Sequence, residues 1–237
     1  MKKIEVCFTP ELIHLYSLQD KVVVIVDILR ATSTMVAGLA SGVKKIAPVA
    51  HLEETEAFAK SGYLVAGERD GKKIEGFDLG NSPFEFMDIA QQKPSIVMTT
   101  TNGTKALKFS ESAEKIIVGS FLNITAVADL LSKITSDIVI FCAGWKGKFN
   151  LEDTLFAGAL IKSLQEKTQN IMLDCDSAIA AKSLYTQHEK NLIHIIKQAS
   201  HVSRLSSLAA KKDVEFCLKF NLFDNVPYYT KQHLINS

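Results

Sequence analysis

Three observations on the sequence predict an α/β fold, a three-layer α/β/α sandwich built on a mostly parallel or mixed sheet. Short, continuously apolar runs recur along the chain, helical stretches alternate with them, and several runs end in small polar or charged residues where the next helix begins. Runs that are apolar at every position suit strands buried on both faces. Strand–helix alternation supplies the helices that cover those faces.

In chain order, strands are predicted at residues 4–8, 22–26, 45–49, 63–66, 96–99, 116–118 and 138–142, each a short apolar run. Helices are predicted between them at 34–40, 52–60, 104–109, 125–133 and 152–167, with Asn123 a candidate N-cap for the fourth. From about residue 174 the pattern changes: 177–207 reads as two successive helices, and the tail returns to a strand near 226–229. Residues 67–83 are the long irregular stretch, with four glycines and dense charge. Loops of that length inside a domain are functional or disordered. The embedded Ile74, Phe77 and Leu79 favour a packed, functional excursion over a mobile one.

The length of 237 residues suits one domain over 1–237, or two small halves packed intimately. At 47% apolar and 22% charged, the chain can bury a substantial core and has the charge of an ordinary globular protein. A net charge of +1 argues against a basic nucleic-acid surface and against an acidic disordered tail. Lys2 and Lys3 open the chain, but Pro10, Glu11 and His14 interrupt any signal-like apolar region. No apolar run approaches the ~20 residues that span a bilayer. A cytoplasmic protein is expected, with no membrane or nucleic-acid partner. Cys7, Cys142, Cys175 and Cys217 are far apart without a CxxC spacing, so neither structural zinc nor a disulfide framework is expected.

Three strand ends share one design. The first runs through Val26-Asp27-Ile28-Leu29-Arg30-Ala31-Thr32-Ser33-Thr34. A carboxylate at the carboxyl end of a buried strand faces the crevice where α/β proteins bind ligands. Thr32 or Ser33 can cap the helix, and Arg30 can pair with Asp27. Equally, Asp27 can hold a cation while Arg30 and helix N–H groups hold an anion. The second, Thr99-Thr100-Thr101-Asn102-Gly103-Thr104, offers hydroxyls, an amide and a glycine that permits close backbone approach, an oxyanion cradle without the P-loop Gly-Lys-Ser/Thr. The third leads from Cys142-Ala143-Gly144 to Asn150-Leu151-Glu152-Asp153-Thr154. There Asn150 and Asp153 can form a box-like helix cap, or Glu152 and Asp153 can be hard oxygen ligands for magnesium. The six histidines form no metal-binding pair; His201 is a candidate for substrate contact.

These segments together resemble the 2-phosphosulfolactate phosphatase family. The resemblance rests on Asp27-Ile28-Leu29-Arg30-Ala31-Thr32-Ser33-Thr34, on Gly67-Glu68-Arg69 followed by Lys73-Ile74-Glu75-Gly76-Phe77-Asp78-Leu79-Gly80-Asn81-Ser82-Pro83, and on Thr99 to Thr104. Gly119-Ser120-Phe121-Leu122-Asn123, Cys142-Ala143-Gly144 and Leu151-Glu152-Asp153-Thr154 complete it, in the family's order, over roughly residues 22 to 220. In the stretch after Ser200, Arg204 is the arginine that remains for a substrate contact. The resemblance implies magnesium-dependent hydrolysis of 2-phosphosulfolactate to sulfolactate and phosphate, a step of coenzyme M synthesis in methanogens. For that chemistry Asp27, with one or more of Glu68, Asp78, Glu152 and Asp153, is expected to organise Mg²⁺ and water. Thr100, Asn102, Gly103 and Thr104 would hold phosphate oxygens, and Arg30 and Arg69 the sulfonate or carboxylate, with Asp27, Arg30 and Asn102 the catalytic set. A homodimer is the default assembly.

Rival chemistries fit less well. A haloacid-dehalogenase-type phosphatase needs a second aspartate two residues after the nucleophile, where Leu29 stands. A cysteine phosphatase needs arginine six residues after its nucleophile, and Cys142 is followed there by Lys148. A non-catalytic module binding a small phosphate or sulfonate would keep the anion-binding strand ends but not the carboxylates around them.

Overall fold

Alternate residues of the apolar strand at Lys21–Val26 point to opposite sides of the sheet, and both sides are covered. Val22, Val24 and Val26 join one buried cluster, Val23 and Ile25 another. Full burial of each such side chain stabilises the fold by roughly 1.5–3 kcal/mol, which is why the strand is apolar throughout. The computed structural model describes residues 1–205 and 207–236, with the backbone alone at 204, 208 and 209.

In chain order the elements are β1 (Lys2–Cys7), β2 (Lys21–Val26), α1 (Ala31–Ser41), β3 (Lys45–Pro48), α2 (Glu54–Lys60), β4 (Leu64–Arg69) and β5 (Lys72–Lys73). Then come α3 (Pro83–Ile89), β6 (Ser95–Thr99), α4 (Gly103–Phe109), β7 (Lys115–Gly119), α5 (Ile124–Lys133), β8 (Asp137–Cys142) and α6 (Leu151–Lys167). The chain closes with β9 (Ile171–Leu173), α7 (Asp176–His188), α8 (Leu192–Lys197), α9 (Ser200–Arg204), α10 (Leu208–Cys217), β10 (Tyr228–Thr230) and β11 (His233–Ile235).

The strands form one mixed sheet in the order β5-β4-β6-β3-β11-β10-β7-β2-β8-β1-β9. Two parallel groups, β4-β6-β3 and β7-β2-β8-β1-β9, are joined by the antiparallel hairpin β10–β11. The hairpin pairs in register with each group at one position, Tyr228 with Ile117 and Leu234 with Ile46. Helices α5, α6 and α7 bury their apolar residues on one face, α1, α3 and α4 on the other, giving the predicted three layers. Helix α1 is buried from Ala31 to Leu39 because α3 and α4 pack against it as well as the sheet. Gly38 permits that approach: a Cβ there would sit 2.9 Å from the Phe86 ring. Among the described residues, no helix is long and apolar enough to cross a membrane.

The predicted tail strand is the first arm of a hairpin, and β5, β9 and β11 are too short to leave a pattern in sequence. The two helices predicted over 177–207 are three, broken by a 3-10 turn at Glu189–Asn191 and again at Gln198 and Ala199. Asn123 caps one turn earlier than predicted: its Oδ1 accepts from Ser120 N–H at 2.9 Å, closing a reciprocal box around the 3-10 turn Phe121–Asn123.

Candidate active site

Strand β2 delivers Asp27 into a cleft lined also by Arg30, Glu68, Asn81, Thr101, Asn102, Trp145 and His201. The hydroxyls that follow Asp27 are spent on backbone. Thr32 Oγ1 donates to Asp27 O and Ser33 Oγ to Ile28 O, each at 3.0 Å, while Thr34 Oγ1 reaches Asn81 O at 3.1 Å. These bonds fix the turn into α1, so the helix starts at Ala31 rather than at the predicted residue 34. Burial pushes the Asp27 carboxyl up to about 7; Glu68 and Glu152 add like charge, while His201 and the Ala31 N–H work the other way. Gly103, opening α4, lies directly against it. A Cβ on Gly103 would fall 2.9 Å from Asp27 Oδ2 and 2.8 Å from Ala31 Cβ, so this approach requires glycine.

Glu152 and Asp153 lie in the first turn of α6 with no solvent exposure. Neither completes the box-like cap with Asn150, whose side chain makes no cap bond. Asp153 accepts from Ile28 N–H at 2.9 Å and from Gly144 N–H at 3.2 Å, tying the ends of β2 and β8 together. Its carboxyl is pushed well above the usual range by burial, with Glu152 and Asp27 adding to the shift. Glu152 holds His201 Nδ1 at 2.6 Å through Oε1, while its buried Oε2 has no hydrogen-bond partner among the described residues. Because a carboxylate only accepts, Nδ1 is the donor, and Nε2 is the ring nitrogen left for the cleft.

Arg30 does not pair with Asp27. Its Nη1 donates to Asp213 of α10, and its Nη2 to Gly71 O at 3.2 Å. Glu68 is a brace between two loops. Its Oε2 accepts from Gly71 N–H at 2.8 Å, and its Oε1 accepts from both Thr101 N–H and Thr101 Oγ1 at 2.9 Å. Asn102 lines the cleft and accepts from Lys146 N–H at 3.1 Å. Thr100 and Thr104 are buried behind it; Thr104 N–H donates to Thr100 Oγ1 at 3.3 Å, so they shape the turn.

Several expected members lie elsewhere. Arg69 points to Glu68 O and Thr99 Oγ1, at 2.8 and 3.1 Å, which occupies it with the ends of β4 and β6. Asp78 is exposed and accepts from Val65 N–H at 2.8 Å, outside the cleft. The five-carboxylate ligand set therefore does not assemble. Among the described residues no three or more His, Cys, Asp or Glu side chains form a metal-binding group. The reason is local: Asp153, Glu68 and Asp78 are turned to backbone N–H groups. Asp27 and the unpartnered oxygen of Glu152 remain as hard donors in a buried acidic cluster. That pair fits magnesium, which takes one or two protein carboxylates and completes its shell with water and phosphate oxygens. Arg204's side chain lies outside the described residues.

Sequence reasoning missed Asp213, Asn81 and Trp145. Asn81 sits inside the 67–83 stretch marked as functional, whereas Asp213 falls in a charged helix where a buried carboxylate leaves no local signature. Cys142, the nucleophile of the cysteine-phosphatase rival, is wholly buried, and burial holds its thiol well above the usual range, which keeps it from acting as a thiolate.

A family model described as 2-phosphosulpholactate phosphatase matches residues 7–232. A probable 2-phosphosulfolactate phosphatase of Caldanaerobacter subterraneus subsp. tengcongensis is 44% identical over 214 residues, covering 89% of this chain and 88% of that protein. One from Thermotoga maritima is 43% identical over 204 residues, 86% of this chain and 87% of its own. One from Clostridium acetobutylicum is 36% identical over 237 residues, 98% of this chain and 100% of its own.

Proposed function

The chain belongs to the 2-phosphosulpholactate phosphatase family, and from that membership we propose that it hydrolyses 2-phosphosulfolactate, or a similar small anionic phosphate monoester, with the help of magnesium. As a member it is a phosphoric monoester hydrolase. The observation that carries the reading is the meeting in one cleft of buried Asp27, His201 seated on Glu152, and Arg30 seated on Asp213.

Phosphate monoesters hydrolyse extremely slowly unaided. A catalyst must neutralise the phosphoryl oxygens, aim a water in line and stabilise the leaving oxygen. Asp27 and Glu152 are the residues that would hold magnesium. What the ion supplies when bound is charge neutralisation at the phosphoryl group and a more acidic water. Asn102 and Gly103, at the opening of α4, turn backbone N–H groups toward phosphoryl oxygens. Asp27 accepts a hydrogen bond from the attacking water and orients it. As the water oxygen bonds to phosphorus and gives one proton to the Asp27 carboxylate, the ester P–O bond breaks and His201 gives its Nε2 proton to the leaving oxygen; the proton on Asp27 then passes to solvent as His201 takes one up, which restores both groups. Glu152 stabilises the imidazolium before transfer and fixes the ring. Arg30 has five N–H donors, of which Asp213 and Gly71 engage two; the others would bind the substrate's sulfonate or carboxylate.

The reading is tested by phosphate release from racemic 2-phosphosulfolactate, with and without Mg²⁺, beside phospholactate and phosphoglycolate. Magnesium-dependent release that prefers the sulfonate is expected. Release confined to the other two esters removes the sulfonate assignment, and no release from any removes the phosphatase reading for these substrates.

A further inference from the structure

Asp213 lies in α10, a helix with no side chain lining the cleft itself, yet it is 1% exposed and both its carboxylate oxygens are engaged. Its two carboxylate oxygens are divided between two parts of the cleft wall. Oδ2 takes Arg30 Nη1, and Oδ1 takes Ser82 Oγ at 2.7 Å. Arg30 lines the cleft, and so does Asn81, the residue before Ser82. Asn81 is itself held by Thr34 through its backbone carbonyl, and its buried Oδ1 has no hydrogen-bond partner among the described residues. One carboxylate therefore stands behind both a guanidinium and an unsatisfied amide that border the same space.

We propose that Asp213 is a positioning residue for substrate binding, acting through Arg30 and the Asn81–Ser82 segment to fix the end of the cleft that reads the substrate's second anionic group. The proposal rests on the phosphatase reading above. An arginine left to itself samples many rotamers and binds a small anion at the cost of that freedom. Clamped by Asp213 on one side and the Gly71 carbonyl on the other, Arg30 presents its remaining donors in one orientation before substrate arrives. Asp213 also partly offsets the positive charge of Arg30, so its effect is geometric rather than an added attraction. A buried ion pair kept only for stability is weakly motivated, since apolar replacements of similar volume often serve as well. A pair whose cation borders the substrate space has a second reason to exist.

The test is a double-mutant cycle on the full chain, with steady-state kinetics on 2-phosphosulfolactate and magnesium, using Arg30→Ala, Asp213→Asn and the double variant. Asp213→Asn is expected to raise KM about tenfold and to lower kcat less, the signature of lost ground-state binding. In the Arg30→Ala background the same change should add no more than about threefold, the share carried by Ser82, because the rest of its effect runs through Arg30. Losses that multiply in the double variant, or an Asp213→Asn enzyme with the wild-type KM, overturn the proposal. If Asp213→Asn fails to fold, Ser82→Ala releases one carboxylate oxygen while leaving the ion pair. It should raise KM about threefold, and a wild-type KM there overturns the proposal equally. A wild-type protein that releases no phosphate fails the phosphatase reading, and the role of Asp213 falls with it. A wild-type protein that turns over beside an unaffected Asp213→Asn fails Asp213 alone.

Discussion

His201 Nδ1 lies 2.6 Å from Oε1 of Glu152, a carboxylate with no solvent exposure at the start of α6. This contact joins the α9 segment to the acidic cluster beside the cleft that His201 lines. The mechanism proposed above assigns His201 the leaving-oxygen proton, beyond the substrate contact expected from sequence.

If His201 protonates the leaving oxygen, its importance depends on how much that oxygen needs a proton. His201→Gln should lower kcat on an alkyl phosphate by about 10²–10⁴-fold, the usual range for a general acid. On a nitrophenyl phosphate, whose leaving oxygen is stable as an anion, the loss should be under about tenfold. Steady-state kinetics on both esters decide it; equal losses contradict the assignment.

Glu152 and Glu68 should separate by their effect on magnesium. Glu152 has an unpartnered oxygen, whereas Glu68 is occupied by Gly71 and Thr101. Calorimetric titration should show Glu152→Gln weakening Mg²⁺ binding by about tenfold or more, and Glu68→Gln by less than about threefold. Glu68→Gln should instead destabilise the fold by about 1–3 kcal/mol, since one of its engaged oxygens becomes an amide donor facing other donors. The reverse pattern would make Glu68 the ligand.

Asp27 links stability to pH. Its carboxyl is raised from 3.8 to about 7 in the fold, so the native state binds a proton that the unfolded chain gives up. The native state is then favoured at low pH, and this contribution is lost as pH rises from about 4 through 7, by at most about 4 kcal/mol. In metal-free protein the Tm of the wild type should fall across that interval more than that of Asp27→Asn, and at pH 8 the variant should be the more stable. Parallel Tm curves for the two proteins would show that Asp27 is not the group involved.

Gly103 has room for no side chain. Gly103→Ala places its methyl 2.8 Å from Ala31 Cβ and 2.9 Å from Asp27 Oδ2, so α4 must move away from β2. A stability loss of about 1–3 kcal/mol is expected from this overpacking. A loss of kcat of about 10²-fold should accompany it, because the carboxylate and the phosphate cradle separate together. Thermal melts and kinetics on the same preparation check both, and a variant with wild-type kcat contradicts the placement of the cradle.

The layered core was legible in sequence because it rests on pattern. Strands β1, β2 and β8 and helix α6 are long apolar or amphipathic runs whose periodicity survives without knowledge of neighbours. Asp27, Glu152 and Asn102 were legible because each stands where a strand meets a helix, the position that α/β folds use for ligands. What failed was the assignment of partners. Arg30 has Asp27 three residues away and pairs instead with Asp213, 183 residues along the chain. Arg69 and Asp78 carry charges suited to a site, but the Glu68 carbonyl and Thr99 hydroxyl claim the first and the Val65 N–H claims the second. Such pairings depend on how α10 and the 67–83 segment fold back over the sheet, and no local spacing encodes that.

In the proposed mechanism Asp27 organises the chemistry of this cleft. The direct measurement is magnesium-dependent phosphate release from 2-phosphosulfolactate by Asp27→Asn, beside a thermal melt showing that the variant is folded. A folded variant with kcat lowered by about 10³-fold or more is the predicted result. A folded variant that turns over within a few-fold of wild type would contradict the account.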